Sequence, residues 1–414
     1  MMTVVRHGWR ASLALLLLAL TTISVPWAEA APARQDDAPA DPSELLARAL
    51  AEVDRGELAA AAADLDETLR RSPDYFAAHV ARGELRVLRR DLAGAAEDFA
   101  AATRIEPGNP LGYSELGGVR LALGDGAGAL AAYETALQLD PASARAYYNR
   151  ARARTLLGDS DGALADYTRA VERNPGLAPA YLDRGVLYSR LGNLSAALDD
   201  YTQAIAVNPN YALAYMNRAR ARSRQGDLDG ALADYTQALQ SRPTAEAYYE
   251  RGLTRARLED YAGAVVDYTQ ALGLAPNASE IYNSRGVARA RLGDDASAIE
   301  DYTQAVRLSP DDPTAYYNRG LAHGRQGDYA AAVQDYTRAL RRNPGHAGAT
   351  YSRGRARARL GDLPAALEDL RRAAALYAEQ GNDRGAQRAG SAIAALEKGT
   401  GDAPAILPAA PEDR

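Results

Sequence analysis

AYYNRARARTLLGDSDGALADYTRAVERNP, residues 146–175, holds two helical runs and two breaks. It opens on helix-forming residues, breaks at Leu157-Gly158-Asp159, resumes with apolar residues at helical spacing and stops at Pro175. Glycine supplies the left-handed backbone that ends one helix, and proline forbids continuation of the next. The segment therefore reads as two helices joined by a tight turn.

Working outward, the same sentence repeats. Pro73, Pro107, Pro141, Pro175, Pro209 and Pro243 fall 34 residues apart; Pro276 follows after 33, and Pro310 and Pro344 return to 34. The lost residue falls in the turn between repeats, where a deletion does least damage. Small residues keep the period at Gly83, Gly117, Ala151, Gly185, Ala219, Gly252, Gly286, Gly320 and Gly354. Alanines keep it from Ala95 to Ala366, and aromatics from Phe99 through Tyr133 to Tyr336. Small residues let two helices approach, and the aromatic fills the space beside them. A fixed period of this length is the signature of a solenoid whose units cannot bury their apolar faces alone.

In these columns the chain resembles the tetratricopeptide repeats, with Tyr, small residue, Ala, aromatic, Ala and Pro at that family's spacing. The resemblance covers about ten units, starting near residues 42, 76, 110, 144, 178, 212, 246, 279, 313 and 347 and running to residue 380. The end units are the weakest: Leu65 and Leu370 replace the aromatic, and Pro364 sits early in a second helix. Residues 381–398 read as a capping helix. The resemblance implies an all-α solenoid, a right-handed superhelix whose first helices line a concave groove.

An ion pair is written into the repeat. Arg48/Asp64, Arg82/Asp98, Arg150/Asp166, Arg184/Asp200, Arg218/Asp234, Arg251/Asp267, Arg285/Asp301, Arg319/Asp335 and Arg353/Asp369 are each 16 residues apart. The third unit lacks both partners together, with Leu116 and Ala132. Joint loss predicts that the two groups meet, since removing one alone would strand a charge. The bridge is expected to be structural, facing the sister helix.

The ends and the composition bound the class. Arg6, His7 and Arg10 precede an apolar run from Ala11 to Val25, and Ala28-Glu29-Ala30 follows as a small-x-small cleavage pattern. Residues 1–30 are thus expected to be a secretory signal, and the run is too short for a comfortable membrane span. An exported protein, periplasmic or secreted, without stable membrane insertion after cleavage, is the expectation. Residues 31–41 and 399–414 are Ala/Pro/Asp-rich and read as a flexible linker and a disordered tail. With no cysteine, disulfides, thiolate metal sites and cysteine nucleophiles are excluded. A net charge of −6 argues against a general nucleic-acid binder.

Another face of the first helices carries the candidate binding chemistry, because offsets of one, four and eight residues share a helix face. The columns hold Tyr148, Tyr249, Tyr317 and Tyr351; Asn149, Asp183, Asn217 and Asn318; Arg152, Arg220 and Arg355; and Arg190, Arg224, Arg257, Arg291, Arg325 and Arg359. Asn can donate to and accept from a peptide backbone, tyrosine supplies stacking area, and arginine forks onto carboxylates. An extended, acidic peptide segment is the ligand this lining suits. The last arginine column has a second reading, because a cation at a helix C-terminus offsets the macrodipole without any ligand. The family's two-carboxylate clamp for peptide C-termini needs Lys and Asn where this chain has other residues, so that activity is not implied.

Signals of catalysis are absent. His7, His79, His323 and His346 are scattered, with no metal-ligand spacing. Gly124 to Gly128 follows no strand and reads as a turn, not a phosphate loop. Asn193-Leu-Ser195 and Asn277-Ala-Ser279 match a glycosylation pattern that occurs often by chance. No cofactor or metal is expected. The reading is a non-catalytic scaffold for protein or peptide partners; the alternative is a self-associating spacer of an envelope assembly, and oligomeric state is left open.

Overall fold

The computed structural model describes residues 41–398. The expected signal, all of the expected linker but Asp41, and the tail from residue 399 lie outside the described residues. Among these every regular element is an α-helix, and the chain divides at Asn193/Leu194 into two compact units.

The first unit runs through α1 (Pro42–Asp54), α2 (Leu58–Arg71), α3 (Phe76–Leu88), α4 (Leu92–Ile105), α5 (Pro110–Ala122), α6 (Gly126–Leu139), α7 (Ala144–Leu156), α8 (Ser160–Arg173) and α9 (Ala178–Arg190). The second begins with α10 (Leu194–Val207), α11 (Ala212–Gln225), α12 (Leu228–Ser241), α13 (Ala245–Arg257), α14 (Tyr261–Leu274) and α15 (Ser279–Arg291). It continues through α16 (Asp295–Leu308), α17 (Pro313–Arg325), α18 (Tyr329–Arg342), α19 (Ala347–Arg359) and α20 (Leu363–Glu379) to α21 (Asp383–Glu397). Within each unit consecutive helices pair and each pair stacks on the next, which makes each an α-solenoid.

The turn inside each pair works as the spacing predicts, and does one thing more. Gly124, Gly158, Gly226, Gly293, Gly327 and Gly361 adopt φ of 80–89°. The aspartate after each glycine then caps the next helix; Asp125, for example, accepts from the Gly128 amide at 2.8 Å. Such caps are worth about 1 kcal/mol each. Two repeats lack the glycine, and there Arg90 and Glu259 take up φ of 62°.

The small-residue column is explained by contact. A β carbon on Gly83, Gly252, Gly286 or Gly320 would stand 2.6–2.7 Å from the ring of Phe99, Tyr268, Tyr302 or Tyr336. These rings are fully buried or nearly so, and each forms the centre of a small cluster with the alanines around it. The core is thus a chain of such clusters, each shared by neighbouring repeats. Pro364 is tolerated because it stands in the first turn of α20, where its missing amide is not needed.

Candidate functional site

Two polar systems occupy different faces of the first helices. One locks the helix pairs together, and the other is the candidate binding face.

The locking system contains the predicted bridges. Arg150 donates from Nε and Nη2 to the two oxygens of Asp166 at 2.7 Å each, and Arg218 does the same to Asp234 at 2.9 and 2.8 Å. Arg48, Arg82, Arg251, Arg285, Arg319 and Arg353 grip their aspartates likewise. Arg184 and Asp200 fall in different units.

Three layers of this system escape the period-16 reading. A second arginine four residues on also reaches the same carboxylate: Arg154 to Asp166 and Arg222 to Asp234, each at 2.8 Å. The free Nη1 of the first arginine donates to a threonine of the preceding repeat, as Arg218 does to Thr202 and Arg319 to Thr303 at 3.0 and 3.1 Å. Tyr147, Tyr215, Tyr248, Tyr282 and Tyr316 lie 5.6–5.7 Å below the guanidinium three residues on. The threonine and tyrosine layers had a signal in the sequence, as columns at the same period, whereas the column of the second arginine is interrupted at Tyr188 and His323. The bridge thus satisfies a buried carboxylate and stitches adjacent repeats.

On the other face, the first unit gathers Tyr148, Asn149, Arg152, Asp183 and Arg190. The Tyr148 hydroxyl donates to Asp183 Oδ2 at 2.9 Å, its ring lies 6.1 Å from that of Tyr167, and Arg152 stands 5.7 Å over it. Burial pushes the Asp183 carboxyl above its ordinary pKa, against the Tyr148 hydrogen bond and the charges of Arg152 and Arg190. Burial, with Asp183 beside it, likewise raises Tyr148. Asn149 is half-buried, and Arg152 and Arg190 are exposed.

In the second unit several predicted groups are already engaged within the chain. Arg220 pairs with Glu246 and with Glu250 of α13, the latter at 3.2 Å. Burial works against its charge, but these carboxylates outweigh it and hold its pKa above the ordinary value. Arg325 grips Asp295 with Nε and Nη2 at 2.8 and 2.6 Å. Arg257 donates to the Ser223 hydroxyl at 2.6 Å and to its carbonyl, in the last turn of α11. This bond ties the end of α13 to the last turn of the preceding first helix.

The neutral columns of this unit are also linked. Asn318 donates to Asn283 at 3.0 Å, and the Tyr249 hydroxyl lies 3.4 Å from that of Ser284. Tyr317 packs on the His346 ring at 4.6 Å, and Arg355 stands over Tyr351 at 5.7 Å. Asn217 is half-buried; Arg224, Arg291 and Arg359 are exposed at the ends of their helices. Met216, which shares this face by periodicity, is buried in the core instead.

The tetratricopeptide repeat model matches residues 46–110, 115–178, 182–246, 217–278 and 317–381, and a second model of the same repeat matches 288–327. The chain belongs to the tetratricopeptide repeat family. Its structure resembles the C-terminal part of a repeat-containing protein of this kind from Cytophaga hutchinsonii, at 18% identity and a TM-score of 0.50, covering 57% of this chain and 97% of that one. A tetratricopeptide repeat protein from Parabacteroides merdae matches at 25% identity and a TM-score of 0.42, covering 60% and 98%. YrrB, described as such a protein with an unusual peptide-binding site, matches at 23% and 0.42, covering 44% and 95%. The search of curated proteins found no match.

A tetratricopeptide repeat array is a protein–protein interaction scaffold, and the fold generally serves without catalysis. Among the described residues no His, Cys, Asp and Glu group could hold a metal ion, and no helix is long and apolar enough to cross a membrane.

Proposed function

We propose that this scaffold binds extended, acidic segments of partner proteins along a groove formed by its first helices, in an extracytoplasmic compartment. The observation that carries the reading is the set of exposed arginines at the ends of first helices of the second unit, Arg224, Arg291 and Arg359; Arg190 holds the same position in a helix of the first unit. Arginine at a helix end would serve the macrodipole alone, yet the set stands beside half-buried Tyr and Asn side chains able to stack on and hydrogen-bond a peptide. The acidic preference is supported by Arg220 and Arg325, which pair with carboxylates of the chain itself. The export half of the reading is supported by the basic, apolar and small-x-small order of residues 6–30.

Affinity capture from the envelope and secreted fractions tests it, with the full chain as bait beside a variant carrying Arg224→Glu, Arg291→Glu and Arg359→Glu. The expected result is a partner held by the first, released by salt and lost from the second. Equal capture by both would take partner binding out of the groove and put it on the convex face or the ends; capture by neither would leave the self-associating spacer as the better reading.

A further inference from the structure

The third repeat is the odd one on the groove face. Where other repeats place Arg152, Arg220 or Arg355, it has Gly118, a half-buried position with no side chain. Beneath it stands Tyr133, whose ring is fully buried against Gly117 and whose hydroxyl meets no hydrogen-bond partner among the described residues. Three sister repeats place a polar groove-face side chain near the equivalent hydroxyl, where it favours the ionised phenol: Thr155 beside Tyr167, Arg220 beside Tyr235 and Ser352 beside Tyr336. The third repeat has Leu121, Gly118 and Glu115 at those positions. A buried hydroxyl left unmet is costly, so the missing partner calls for an explanation.

The geometry supplies one. The point where a β carbon would sit on Gly118 lies 3.6 Å from the Tyr133 hydroxyl oxygen, and apart from its chain neighbours and the backbone of its own helix no other heavy atom comes within 4 Å. The missing side chain lets an acceptor atom of a bound segment pack directly on the Gly118 backbone and approach the hydroxyl, provided that the exposed side chains of Arg145 and Arg152, whose charges act on the phenol, move aside. Burial, and after it the nearby Glu115, hold the phenol well above its ordinary pKa, so it keeps its proton and offers a donor.

We propose that Gly118 and Tyr133 form a subsite in the groove floor of the first unit that accepts a backbone carbonyl of the bound segment. A main-chain carbonyl is the group that fits: it is a small acceptor, and every extended peptide carries one per residue. This inference rests on the groove-binding reading. It adds a register point, a fixed place where the segment must present its main chain closely.

Two measurements on the full chain test it. The first needs no ligand. Tyr133→Phe removes a hydroxyl without a hydrogen-bond partner and should leave amide exchange in α5 and α6 unchanged or slower, whereas Tyr235→Phe removes one that Arg220 approaches and should speed exchange in α11 and α12. An equal loss of protection in both would show the Tyr133 hydroxyl already satisfied, for instance by water, and would overturn the subsite.

The second uses the tightest dodecapeptide selected by display panning against the full chain. Tyr133→Phe and Gly118→Ala should each weaken it about five- to tenfold, the size of one lost hydrogen bond. The Gly118 β carbon makes only an ordinary contact, so that variant should fold. A peptide that loses affinity with Arg291→Glu but not with these two would overturn the subsite and leave the groove reading standing. Panning that yields no peptide would overturn both.

Discussion

The third and sixth repeats solve the same packing problem with opposite chemistry. In the sixth, Asp234 lies buried between α11 and α12 and takes both Arg218 and Arg222, while Tyr215 underlies Arg218 and Thr202 receives its remaining donor. In the third, buried apolar residues, Leu116 and Ala132, take the places of the arginine and the aspartate, and Leu116 joins the cluster around Phe99. Arg120, the counterpart of Arg222, survives there and donates to the Gly128 carbonyl at 3.2 Å, as Arg222 does to Gly230. The difference teaches that the charge network is a unit: a repeat carries the Arg–Asp pair or neither member, because either alone leaves a charge without a partner in a site that water cannot reach.

The largest expected effect is that of Asp234→Ala, which leaves Arg218 without its carboxylate and Arg222 with only the more exposed Asp227, at 3.6 Å. It should cost about 3–5 kcal/mol, the penalty for an uncompensated buried charge. Hydrogen exchange in α11 and α12 is the right readout, since a repeat array opens locally and its global melting is not two-state. A change below about 1 kcal/mol would mean that the aspartate is solvated and the network ornamental. The second test converts the sixth repeat into the third, with Arg218→Leu added to Asp234→Ala. Most of the loss should return, giving a coupling of about 2 kcal/mol across the double-mutant cycle. Additive losses would say that the two side chains do not act on one another.

This network also marks where the sequence could and could not be read. The fold was legible because its determinants are local and repeated: the left-handed glycine, the proline stop and the small-aromatic contact recur with one period. The Arg–Asp pair was legible because it was lost jointly at Leu116 and Ala132. The second arginine was not, because Tyr188 and His323 interrupt its column and Arg120 persists where the aspartate is absent. The candidate site was legible as a face but not as a charge balance. Arg220 and Arg325 stand in the predicted columns, yet their carboxylates come from residues 26–30 positions away that share no column with one another. Tyr133 shows the limit most plainly, since an unmet hydroxyl is a property of its neighbours and leaves no mark on the residue itself.

A smaller effect sharpens the part that the third and sixth repeats share. Both end the first helix on a left-handed glycine, Gly124 at φ 80° and Gly226 at φ 89°, whereas the seventh asks Glu259 to hold φ 62°. A side chain in that conformation costs about 1 kcal/mol relative to glycine. Glu259→Gly should therefore stabilise the α13–α14 pair by about that amount, and Gly226→Ala should destabilise α11–α12 comparably, both read by exchange at the turn amides. If Glu259→Gly destabilises instead, the glutamate side chain is doing something at that turn that outweighs its strain.

The finest test sets two carboxylates of the first unit against each other. Burial opposes the charge on both Asp98 and Asp183, but the outcomes differ in sign. At Asp98 the His79 hydrogen bond, Arg82 and Arg86 outweigh burial and hold the pKa below the ordinary value. At Asp183 one phenol and two more remote arginines do not, and the pKa is raised. Asp98 therefore contributes stability that is present above the unfolded carboxylate pKa of about 3.9 and is lost as pH falls through its lower folded value. Asp183 does the reverse: its ionisation weakens the fold at neutral pH, and that cost is relieved as pH falls through its raised value. Carbon-13 titration of the side-chain carboxyls should place Asp98 below and Asp183 above the unfolded reference. Tyr148→Phe should drive Asp183 higher still, because the donated hydrogen bond favours the carboxylate. A fall instead would mean that the phenol crowds the carboxylate more than it bonds it, and that the ion-pair face and the groove face do not differ in how they hold a charge.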